Sequence, residues 1–79
     1  MTDLWDRPVE IVTPAQGGPR CVRSSRDAIA ALAYDFPKGC KEARMARKIC
    51  LNAIEGVAKT ETAARAFREA AKQAGILRA

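Results

Sequence analysis

The feature that most constrains this chain is the stretch Gly39–Gly56, GCKEARMARKICLNAIEG. Its apolar residues Ala43, Ala46, Ile49, Cys50, Ala53 and Ile54 recur at three- and four-residue steps, which sets them along one side of an α-helix. Lys41, Arg44, Lys48, Asn52 and Glu55 fall on the opposite side. The run predicts an amphipathic helix of about five turns. Such a helix holds its shape in water mainly by packing its apolar stripe, so the rest of the chain must supply the cover. With 79 residues there is material for one domain. A chain of that size buries about 60–65 % of its unfolded surface, leaving a margin of stability that a partner or a second copy would raise.

The covering elements can be read in order. Met1–Arg7 is expected to be a loose arm pinned at Trp5. Pro8 leads into Val9-Glu10-Ile11-Val12, a β-branched run suited to a strand, and Arg20-Cys21-Val22-Arg23 supplies a second one. Between them Thr13–Pro19 is dense in turn formers, so a hairpin follows. Val9, Ile11 and Val22 would face the helices, with Cys21 and Arg23 turned outward. Ser24-Ser25-Arg26-Asp27 has the form of a capping box, and the first helix runs from it to about Asp35, where Phe36-Pro37 ends it. Gly56 is placed to terminate the long helix, with Val57 lying back over Leu51. Thr60 is expected to cap a third helix, Glu61–Ala74, whose inner stripe is Ala63, Phe67, Ala70, Ala71 and Ala74. Gly75 closes it and folds Ile76 onto Ala71. The reading is an α+β fold of order β-β-α-α-α, with an arm at 1–7 and one domain at 8–79. Its core should contain Trp5, Val9, Ile11, Val22, Leu32, Phe36, Ile49, Cys50, Ala53, Ile54, Phe67 and Ala71.

Trp5…Pro8-Val9, Arg20-x-Val22-x-Ser24, Ala28…Leu32…Phe36-Pro37, Ala46…Cys50…Ala53…Gly56 and Ala64-Arg65-x-Phe67-x-x-Ala70-Ala71 together resemble the domain-of-unknown-function family 982, small uncharacterised proteins of alphaproteobacteria. The likeness spans about Trp5 to Ile76 and departs at Phe36, where a Trp is expected before the proline. The resemblance implies a small α+β domain of the bacterial cytoplasm. It brings no activity with it.

Function is narrowed mainly by what is missing. There is no histidine, which removes the commonest general base and metal ligand at neutral pH. Cys21, Cys40 and Cys50 are three in number and fit neither a disulfide framework nor a zinc pattern. No metal or cofactor is therefore expected. Glu42, Glu55, Glu61 and Glu69 form no evident pair, and Gly17-Gly18 lacks the Lys-Ser/Thr sequel of a phosphate loop, so no enzyme is expected. The acidic start MTDLWDRP has no apolar run and Ala28–Tyr34 is too short to cross a bilayer, which points to a cytoplasmic protein without a membrane partner.

Three surface features remain. Gly56–Arg65 looks like the turn of a helix-turn-helix, but the positions that must pack between its helices hold Asn52, Thr62 and Arg65, all polar. Lys41, Arg44, Arg47 and Lys48 give the long helix a basic side that suits nucleic acid or an acidic partner, in keeping with the net charge of +5. Cys40, at the start of the same helix between Lys38 and Lys41, is a candidate reactive thiol. A two-stranded sheet also leaves open edges that a second copy or a partner's strand can pair. The leading expectation is a protein-interaction module, with a homodimer through a hairpin edge; the alternative is a basic accessory protein that binds nucleic acid.

Overall fold

A computed structural model describes residues 4–13, 18–34, 36 and 39–78. The elements follow the expected order: β1 Leu4–Thr13, β2 Gly18–Ser24, α1 Ser25–Tyr34, α2 Lys41–Ile54 and α3 Thr60–Ala74. The strands pair antiparallel with Val9 opposite Val22, Ile11 opposite Arg20 and Thr13 opposite Gly18. The centre of the expected turn, 14–17, lies outside the described residues, as do Asp35, Pro37 and Lys38. β1 begins at Leu4, so four residues of the segment expected to be an arm are strand. Trp5 is responsible. Only 6 % of its surface is exposed, and its indole N–H donates to the hydroxyl of buried Ser25 at 3.4 Å.

The hairpin lies on α1 and α3, while α2 packs on the far side of those same two helices. The molecule is thus layered sheet, helix pair, helix, and the long amphipathic helix covers α1 and α3 instead of the sheet. At the centre sits Phe67, fully buried, with its ring centroid 5.6 Å from both Trp5 and Phe36. Alanines 28, 31, 43, 46, 63, 70 and 71 are buried around it, so the helix backbones approach closely. That closeness corrects two core assignments. Ile49 is only partly buried at the edge of the core, and Ile54, the last residue of α2, is partly buried without joining it. The small residues of the stripe make the contact, and the branched ones are left at its margins.

Local capping follows the chemistry of the termini. The Asp27 N–H donates to the Ser24 hydroxyl at 3.1 Å, as a hydroxyl before a helix should allow. After α2, Gly56 takes φ 82° while the N–H groups of Gly56 and Val57 return to the carbonyls of Ala53 and Asn52. These are the paired bonds of a Schellman motif. The expected Val57–Leu51 cover is absent: the two side chains are 75 % and 44 % exposed. The chain is still folded back over the helix end at Ala58, whose N–H also reaches Asn52, and extended backbone resumes only at Lys59. Lys59 is therefore the N-cap of α3 and Thr60 its first helical residue, without a side-chain cap. Gly75, at φ 75°, ends α3 as expected, and the Ile76 N–H reaches the Ala71 carbonyl at 3.0 Å.

Beyond Gly75 the chain does something that no periodicity announces. Ile76–Arg78 runs antiparallel to β1, with Leu77 bridged to Ile11. The Val12 N–H donates to the Ile76 carbonyl at 2.8 Å and the Arg78 N–H to the Glu10 carbonyl at 3.0 Å. Arg78 adds an ion pair to Glu10 at 3.4 Å, exposed at both ends.

Candidate interaction surface

The C-terminal return decides which edge of the sheet is open. Glu10 and Val12 spend their backbone groups on Ile76–Arg78, so along β1 the groups facing β2 belong to Val9, Ile11 and Thr13. Across the ladder, Val22, Arg20 and Gly18 face back, leaving Pro19, Cys21 and Arg23 with their backbone groups aimed away from the hairpin. Pro19 has no N–H to offer. The donors of the free edge are therefore Cys21 and Arg23, both with exposed side chains.

The cationic residues expected on the long helix are all exposed: Lys41, Arg44, Arg47 and Lys48. At about 100° per residue Lys41, Arg44 and Lys48 share an arc of about 60°, whereas Arg47 stands about 100° from Lys48. Three of the four thus form a stripe. Exposed Met45 and Leu51 border it, so the outer face of α2 is mixed in character. Cys40 is the N-cap residue of α2, half-buried and extended, instead of lying within its first turn. Its thiol donates to a Glu42 carboxylate oxygen at 3.6 Å, so the group at hand is an acceptor for its proton. Cys21 is exposed and Cys50 is buried in the core, and neither is joined in a disulfide. Of the three polar residues at the helix-turn-helix packing positions, Thr62 and Arg65 are exposed and Asn52 is half-buried.

A surface that sequence reasoning missed lies between β1 and α3. A groove of about 820 Å³ is bounded by β1 from Trp5 to Glu10, by Thr60, Glu61, Ala64, Arg65 and Arg68 of α3, and by Leu77 and Arg78. It lies along an irregular part of β1. Between the pairs Leu4–Ser24 and Val9–Val22, β1 advances by five residues (4 to 9) while β2 advances by two (22 to 24). The surplus residues include Pro8, which cannot donate to a ladder. That proline inside a strand was the one available signal.

Among the described residues no three metal-ligating side chains converge. Nor, among the described residues, is any helix long and apolar enough to cross a membrane. A family model described as "Protein of unknown function (DUF982)" matches residues 7–78, nearly the whole chain. No curated protein and no solved structure matches the chain.

Proposed function

We propose, for a chain that belongs to the DUF982 family, that it serves as a small cytoplasmic protein-interaction module without catalytic activity, pairing through the outer edge of β2 with a second copy of itself. The observation that supports this reading is the asymmetry of the sheet edges: Ile76–Arg78 covers β1 at Glu10–Val12, while among the described residues no segment pairs with the outer edge of β2, where the Cys21 and Arg23 donors face out. An isolated ribbon gains stability when strands are added to it, and two copies related by a twofold axis would join β2 to β2 in a continuous antiparallel sheet.

The test is sedimentation equilibrium over a range of concentration, on the parent chain and on Cys21→Pro. A proline is tolerated on a strand edge and removes the outward N–H. Each copy loses one bond worth about 1 kcal/mol net, so the dimer should weaken by about 2 kcal/mol, roughly thirtyfold, with unchanged helix content. A monomer mass that holds up to millimolar concentration would overturn the reading.

The second reading, a nucleic-acid accessory, rests on the Lys41, Arg44 and Lys48 stripe. Three phosphate contacts predict a log–log salt slope of about −3 for duplex DNA. Absence of duplex binding at low salt removes it.

A further inference from the structure

The groove between β1 and α3 is built differently from the rest of the surface. Trp5 and Val9 are almost wholly buried beneath it, and half-buried Ala64 and Leu77 extend that apolar floor. Its size falls in the range of about 300–1,000 Å³ in which small ligands and a few residues of peptide are bound. Arg65 and Arg68 stand one turn apart on the α3 wall and Arg7 rises from β1. All three are exposed, and none of their guanidinium groups makes a hydrogen bond or ion pair with another described residue. Arg78 is different, being held by Glu10. The groove therefore combines an apolar floor with three guanidinium forks that no described residue engages.

We propose that this groove takes a short peptide segment of a partner protein, one that carries carboxylates on either side of an apolar residue. The forks of Arg65 and Arg68 match carboxylate geometry, and a contact half-shielded by the groove is stronger than the same contact on an open helix face. The apolar residue would cover Trp5 and Leu77. Charge pattern selects a peptide over nucleic acid. Asp6 and Glu61 stand in the same rim. A sugar-phosphate chain, charged at every step, would be forced against them, whereas a peptide can space its acidic groups to meet only the arginines. Pro8 removes a donor from this part of β1, so the segment is held by side chains and not as an added strand. This face is separate from the β2 edge, and either can fail without the other.

Trp5 is the sole tryptophan, which makes its emission a reporter for the groove floor. The probe is a fluorescein-labelled, capped pentapeptide alternating Glu and Leu, followed by anisotropy, with its unlabelled form titrated against Trp5 emission. A Lys/Leu pentapeptide and a short oligothymidine serve as comparisons. The expected result is saturable binding of the Glu/Leu peptide with a change in Trp5 emission. Arg65→Gln with Arg68→Gln should weaken it at least tenfold without moving the thermal midpoint, while Lys41→Gln with Lys48→Gln on α2 leaves it unchanged. No saturable binding up to about millimolar protein overturns the proposal. So does equal binding of the Lys/Leu peptide, tighter binding of oligothymidine, or an equal loss from the α2 variant.

Discussion

Phe67 is the residue whose replacement should be most informative about what holds the layers together. It is fully buried, belongs to α3, and touches a ring from β1 (Trp5, interplanar angle 53°) and one from the segment after α1 (Phe36, 64°). Tilted and edge-to-face pairs of this kind are worth about 0.5–1.5 kcal/mol each beyond burial, so Phe67→Leu, which keeps an apolar side chain, should cost about 1–3 kcal/mol. A 79-residue domain has about 4–12 kcal/mol to lose. At about 4–8 °C per kcal/mol, the thermal midpoint in far-UV circular dichroism should fall by about 5–20 °C. A double-mutant cycle with Trp5→Leu isolates the ring term and should show about 0.5–1.5 kcal/mol of coupling. A midpoint within about 2 °C of the parent, or strict additivity in the cycle, would refute the view that these ring contacts join sheet to helices.

Ala71→Leu places three extra carbons where two helices nearly touch, and overpacking there should destabilise by about 1–3 kcal/mol. Ser24→Ala orphans the Asp27 N–H and should cost about 1 kcal/mol by urea denaturation. Glu10→Gln should change stability by less than about 1 kcal/mol, and melting should show little sensitivity to salt, because its ion pair with Arg78 is half-exposed at both ends.

What was legible in the sequence is what local chemistry dictates. Three-and-four spacing located α2 and α3, β-branched runs located the hairpin, and Gly56 and Gly75 marked helix ends because a left-handed residue is needed there. Spacing also put Lys41, Arg44, Arg47 and Lys48 outside. It could not apportion the cover of an apolar stripe: the rest of the chain was expected to sheathe α2, and the cover comes mainly from α1 and α3. Nor could it find contacts that depend on distant pieces meeting. The Trp5–Ser25 bond spans twenty positions, and the groove needs a strand irregularity opposite a helix that starts fifty residues later. Ile76–Arg78 is too short to show any period.

That short return links the helix end to the state of the sheet, and Gly75 controls it. Its φ of 75° turns the chain so that Ile76 leaves α3 beside Val12. A Cβ added there meets no atom within 4 Å, so Gly75→Ala acts through backbone strain alone, about 1–2 kcal/mol for an L-residue in this region. If the strain is relieved by releasing Ile76–Arg78, the Val12 amide loses its acceptor and the β1 edge opens beside that of β2. Hydrogen exchange should then show the Val12 amide losing protection out of proportion to the drop in global stability, and the variant should associate more readily, because two bare edges template pairing where one did before. Unchanged Val12 protection, with only a uniform loss across the domain, would mean that the return is anchored by Leu77 and Arg78 instead. The β1 edge would then be guarded independently of how α3 ends.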